Sequence, residues 1–354
     1  MKNYKLFICF AVALILSACE GNFLEKNPLD QVSSQTFWND ESDAYLGLMG
    51  VYSRLQLNYY GYNRYILDFI TDNGFQKDNE GSAADISQGN IYPTTGGLVS
   101  TIYSGGYRGV SACNIFLGNV KDVEMDSGVK KQYIAEAKFL RAWFYFNLQQ
   151  FYGDVIIYEI PPTVESSKIK QSTGEQVLSF VLQDLDQAIT DLPDNPYSGR
   201  IVKNSALALK AKVLLYQEKW SEAASVASQV ISSGKTSLSN DFTGLFITKG
   251  QDFNPSEILF SSRYLNPDNY SEYAIRVAWY GNHNPRQELV DDYECTDGLS
   301  VSQSPLYDPD HPYLNRDPRL KQTVQVEPWV VDGQVIQQEE SVTGYLIQKG
   351  IDKE

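Results

Sequence analysis

Residues 131–154 read KQYIAEAKFLRAWFYFNLQQFYGD. Ile134, Ala137, Phe139, Leu140, Trp143, Phe144, Leu148 and Phe151 recur three and four positions apart, the spacing of one face of an α-helix. Gly153 supplies a C-terminal stop. A helix this rich in large apolar groups cannot stand alone in water, so its neighbours must cover it. Downstream, a second helix is expected from Glu175 to Leu192, halted at Pro193, with 193–198 as a turn. A helix pair follows, Asn204–Gln217 and Ser221–Ser232. Its small and large positions alternate through Ala206, Ala208, Ala211, Leu215, Tyr216, Trp220, Ala223, Ala227 and Ile231, which lets antiparallel helices approach closely and stack, as in tetratricopeptide (TPR) repeats. Upstream, Asn39 or Asp40 offers an N-cap for a helix carrying Ala44, Leu48, Val51 and Leu55. The fold class is therefore mainly α, a scaffold of TPR-like helical hairpins.

Two regions break the pattern. Tyr59–Tyr107 holds eight glycines among many tyrosines and reads as short helices joined by long loops, a kind of segment that is usually functional. After Gly234 the chain turns to Asn, Asp, Pro and Tyr. Short strands are expected there at Glu257–Tyr264, Lys321–Val326 and Trp329–Val335. The expected organisation is a helical domain over 36–234 and a loop-rich region over 235–354.

Forty-four acidic against 29 basic residues give a net charge of −15, or −17 without Lys2 and Lys5, which repels nucleic acid. His283 and His311 are the only histidines and have no second His or Cys at ligand spacing, so neither a metal nor another cofactor is expected. Tyrosine is abundant, with 24 copies, as on surfaces that are partly wet and partly apolar.

The first residues set the compartment. Lys2 and Lys5 precede an eleven-residue apolar run, Leu6–Leu16, which fits a signal-peptide core and is too short to span a bilayer. It ends in Leu16-Ser17-Ala18-Cys19, like a bacterial lipobox. Residues 1–18 are then a leader, Cys19 the lipidated N-terminus and 19–35 a polar tether that holds the chain on a membrane. A plain secretory leader is the alternative. Cys113 and Cys295 remain; export permits pairing, but two cysteines 182 positions apart are no disulfide framework and read as buried thiols.

Four segments carry a resemblance to the SusD/RagB outer-membrane nutrient-binding lipoproteins. The lipobox is followed by Phe23-Leu24-Glu25, Pro28 and Thr36-Phe37-Trp38. Residues 107–117 (YRGVSACNIFL) and 135–154 match family helices. Leu289–Leu320 combines Leu289-Val290-Asp291, Tyr293, Asp297-Gly298 and Asn315-Arg316-Asp317-Pro318-Arg319-Leu320, and Thr343-Gly344-Tyr345 also fits. The resemblance implies a surface-exposed lipoprotein that sits on a SusC-like TonB-dependent porin. It captures oligosaccharides, or peptides in some members, and performs no catalysis. Family members run on beyond the equivalent of Glu354, so a truncated C-terminal region is expected.

Glycans bind to flat apolar faces beside planar polar groups. One loop region offers Asp68, Asp72, Asn73, Gln76, Asp78, Asn79 and Tyr92. The other offers Tyr273, Trp279, Tyr280, Asn282 and His283. The resemblance implies ligand loops at these two places. The expected site has Trp279 stacked on a sugar ring, Tyr280 or Tyr273 beside it, and Asp72 or Asn73 bonding hydroxyls from across, with Tyr92 nearby. Two other function classes remain: a TPR-like protein-binding scaffold, and a glycosidase using Asp291, Asp292 or Glu294, which read as solvated or capping acids. Asp308, Asp310 and Asp317 lack the loop of a calcium site. Arg316–Leu320 reads as a turn pinned by arginine–carboxylate forks.

Overall fold

The computed structural model describes residues 37–161, 163–247, 256–265, 267–279, 281–331, 334–336 and 341–351. The leader, Cys19, the tether and Tyr280 lie outside the described residues.

The long helices between residues 98 and 232 form a succession, each packed chiefly on its neighbours in sequence. Helix α1 (Glu41–Tyr52) starts where the Asp40 carboxylate accepts the Asp43 amide at 3.1 Å, and buries Ala44, Leu48 and Val51. Three segments of 3-10 helix follow within 53–70. Strand β1 (Gly74–Gln76) and the short helix α2 (Ala83–Ser87) come next.

Helix α3 (Leu98–Asn119) overturns part of the expected loop, because it runs unbroken through Gly105, Gly106 and Gly109. These glycines are there for contact and not for turning. A Cβ on Gly109 would lie 2.5 Å from the Phe144 ring, and one on Gly106 would lie 2.8 Å from Leu148. Flattening one face of α3 lets α4 (Ser127–Tyr152) press its aromatic side directly on the backbone. Phe139, Phe144, Tyr145 and Leu148 are all buried there, while Phe151 is exposed.

Helix α5 (Gly174–Asp191) opens with a capping box: the Thr173 hydroxyl accepts the Gln176 amide, and the Gln176 side chain accepts from Thr173 N. Helices α6 (Lys203–Tyr216) and α7 (Trp220–Ser232) form the expected hairpin. Its faces differ from expectation. Ala206 and Ala223 are buried, and Ala208 and Ala211 pack at the edge of the interface, but Leu215, Tyr216, Trp220 and Ile231 face outward. Leu207, Leu209, Val213, Leu214, Val226 and Val230 fill the interior instead.

The remainder is irregular, with strands in short antiparallel pairs: β2 (His283–Pro285) with β1, β3 (Val324–Gln325) with β6 (Leu346–Ile347), and β4 (Trp329–Val331) with β5 (Gln334–Ile336). Two short helices, α8 (Gln287–Asp292) and α9 (Arg319–Thr323), separate them. Residues 257–264 form no strand. Side chains from the helical stack take up their backbone groups: Ser205 Oγ donates to Leu259 O, Gln56 Nε2 to Arg263 O, and the Ser261 amide donates to Tyr197 Oη. Phe260 lodges edge-on against Phe139 and Trp143. The expected strand at 321–326 shrinks to two residues behind α9, and 329–335 contributes the two strands of a hairpin.

The conspicuous Arg316–Leu320 segment divides its labour. Arg319 and Asp317 form the expected fork. Arg316 finds carbonyls and not carboxylates, donating to Tyr293 O at 2.7 Å and Pro312 O at 2.9 Å while nearly buried. The end of α8 leaves such carbonyls without helical partners, and a cation suits them. Cys113 and Cys295 are buried free thiols, and burial pushes the Cys113 thiol well up. No helix among the described residues is long and apolar enough to cross a membrane.

Candidate ligand-binding site

The two loop-rich regions meet. In the β1–β2 ladder Gly74 pairs with Pro285, Phe75 with Asn284 and Gln76 with His283. The Lys77 amide extends it to Asn282 O at 2.9 Å, and at the other end the Arg286 amide donates to Asn73 O at 3.0 Å. Arg276 lies against Glu80 at 3.2 Å and Glu272 at 2.8 Å, so one guanidinium ties the two regions together.

The register decides what faces what. Trp279 closes a π-helical turn, Ile275–Trp279, just before the His283 end of the ladder. Lys77, Asp78 and Glu80 continue from that end, whereas Asp72 and Asn73 sit at the opposite end beside Arg286. Along the backbone, Asp72 and Asn73 therefore lie at the end of the ladder away from Trp279. Asp72 is exposed and Asn73 half-buried. Tyr92 is 65% exposed on a turn closed by the Thr95 amide donating to Tyr92 O, and its ring makes no ring contact among the described residues.

Tyr273 is placed differently from expectation. Its hydroxyl donates to Lys349 O at 2.8 Å, and its ring stands edge-on to Tyr65 with centroids 5.1 Å apart. It packs on a small core of Phe69, Val277, Ile347 and Ile351, which makes it a tether for the segment after β6. Gln76 and His283 are also buried, with nitrogens 3.4 Å apart, so they brace the ladder beneath the surface. Loss of hydration pushes the His283 pKa down to about 4.

Residues that sequence reasoning passed over complete the surface. Ile91, Tyr270 and Ile275 are exposed apolar groups around the joined loops. Arg276 could have been singled out, since it is the one base between Arg263 and Arg286. Asp68 lies near Lys349 and Arg64, yet burial still raises its carboxyl pKa. Three of the other acids considered are engaged locally: Asp291 accepts from Gln287, Asp308 pairs with His311, and Asp317 with Arg319. No group of three or more His, Cys, Asp or Glu among the described residues is placed to hold a metal ion.

Comparison with known proteins identifies the architecture. Residues 22–215 match the SusD-like family described as "Starch-binding associating with outer membrane". The chain belongs to the SusD-like family. It is 27% identical over 278 residues to SusD-like protein P38 of Formosa agariphila, covering 74% of this chain and 54% of that one. A SusD-like carbohydrate binding protein of Bacteroides fragilis superposes with a TM-score of 0.78 at 25% identity, over 89% of this chain and 68% of the other. A laminarin binding SusD-like protein gives 0.68 at 23% identity, over 89% and 73%. The chain spans about half the length of the curated SusD-like relatives it matches.

Proposed function

We propose that this SusD-like protein captures oligosaccharides at the cell surface and hands them to a SusC-like TonB-dependent porin, without catalysis. The observation that carries the reading is the β1–β2 ladder. It ties together two Tyr-, Asn- and Asp-rich loops far apart in sequence, and Tyr92, Tyr270 and Ile275 within those loops are exposed. Exposed rings beside planar polar groups are the chemistry that sugar rings and hydroxyls need. The names of its relatives and the family's association with the outer membrane point the same way. Cys19 carries the lipid anchor, and Trp279 and Tyr280 contribute stacking faces.

Titration calorimetry against a panel of soluble polysaccharides tests this. One glycan is expected to bind the wild type, and Trp279→Ala to weaken it about tenfold, in line with ~1–3 kcal/mol for a ring stacked on an aromatic face. An unchanged affinity in the folded variant removes Trp279 from the site. Binding of extended peptides in place of every glycan replaces the sugar reading with a peptide one.

A further inference from the structure

A second hollow lies away from the joined loops, between the outer face of α3 and residues 156–158. Its volume is about 500 Å³, well within the range of small-molecule sites. Three rings form its walls. Tyr103 and Tyr107 have centroids 4.9 Å apart, and Tyr107 and Tyr158 5.8 Å apart.

The polar groups of Tyr107 and Asn114 on these walls are already engaged. The Tyr107 hydroxyl donates to Ile156 O at 2.9 Å and accepts the Ile156 amide at 2.8 Å. Asn114 donates to Tyr158 O and Ile160 O, and its carbonyl oxygen accepts from Arg141. What remains for a visitor is ring surface, with one charged group beside it. Arg108 lines the hollow and is exposed, and it has no acidic partner among the described residues. Elsewhere Arg141, Arg200, Arg276 and Arg319 each meet a carboxylate, while Arg64, Arg286 and Arg316 are taken up by an amide, a ring or backbone carbonyls. In a chain of net charge −15, an unmatched guanidinium on an aromatic hollow stands out.

We infer that this hollow is a second sugar site, selective for a pyranose bearing a carboxylate, that is, a hexuronate unit. The C–H face of the ring lies on the tyrosines, and the carboxylate takes the planar fork of Arg108 in paired hydrogen bonds. Ser104 and Ser111, on the same lining, are within the site to meet ring hydroxyls. A neutral sugar leaves the cation unused, and a small inorganic anion leaves the rings unused. Only the combination uses both.

The test is calorimetry of the full chain with short oligomers of glucuronate, galacturonate and mannuronate, each beside its carboxyl-reduced neutral counterpart. At least one uronate oligomer is expected to bind in preference to its neutral form, more weakly at high salt. Arg108→Ala should lower that affinity about tenfold or more, with Arg108→Lys retaining part of it. Tyr103→Ala should lower it in protein that remains folded by circular dichroism, whatever stability the lost ring contacts cost. Trp279→Ala should leave it unchanged, and Arg108→Ala should leave neutral-glycan binding at the joined loops unchanged, so the two sites fail separately. The inference is overturned if none of the three uronates binds, if reduced oligomers bind equally, if Arg108→Ala has no effect, or if peptides with a free C-terminal carboxylate displace the uronate at equal affinity.

Discussion

Arg141 meets Asp184 fork to fork, Nε to Oδ2 at 2.7 Å and Nη2 to Oδ1 at 2.8 Å, and so locks α4 to α5 from inside. Both side chains are nearly buried, and Arg141 also reaches Asn114 on α3 at 2.8 Å. One guanidinium therefore joins three consecutive helices. Burial raises the Asp184 carboxyl pKa even with the cation against it. Arg141→Met strands that carboxylate and is expected to cost about 3–5 kcal/mol. Replacing both residues with leucine should recover most of the loss. Chemical denaturation of the two variants checks this, and a double variant as unstable as the single one contradicts it.

The α3–α4 seam makes a second prediction. Gly109→Ala improves helix propensity by about 1 kcal/mol. It also drives a methyl group to 2.5 Å from the buried Phe144 ring. Overpacking should win, with a net loss of about 1–3 kcal/mol. A melting temperature at or above that of the wild type would mean that the seam can open without cost.

His283 makes stability depend on pH. Its pKa in the fold is about 4 because burial removes the water that would solvate a charged ring. Unfolded, the ring titrates near 6.5, so below that pH the unfolded chain gains a proton that the fold refuses. The contribution is whole above about pH 6.5, declines as the pH falls toward 4, and is flat below. Its size is roughly 3 kcal/mol. Melting curves at pH 7 and pH 4.5 should differ more for the wild type than for His283→Gln.

The proposed membrane attachment rests on Leu16-Ser17-Ala18-Cys19. Cys19→Ala should move the protein from the membrane fraction to the soluble fraction of the cell envelope, read by immunoblot. Retention at wild-type levels would remove the lipid anchor from the proposed function.

Much of the helical stack was legible in sequence because its cause is local. Phe139, Leu140, Phe144 and Leu148 mark one face of α4 whatever surrounds them. Gly105 and Gly106 misled because glycine reads as a breaker until the side chain that needs the space is known. The outward faces of α6 and α7 misled similarly. Trp220 and Ile231 fit helical spacing, but spacing alone does not say which of two apolar faces turns inward. In the joined loops, residue type suggested Tyr273 as a stacking ring, whereas its hydroxyl is committed to Lys349 O. Such partners lie far along the chain and leave no periodic trace. The pairing of the two loops followed from family likeness, and its register could be read only from the ladder.

The Gln76–His283 pair joins positions 207 residues apart. A contact of that span has high contact order, and the chain between its ends must lose its freedom before the pair can form. Here α3 to α7 lie inside the loop it closes, so their folding takes up most of that entropy beforehand. The ladder is thus expected to form late in assembly, once the helical stack has brought its two strands together. On the proposed function, ligand affinity at the joined loops would then double as an assay of conformational quality, because partly folded chains would not compete for a glycan.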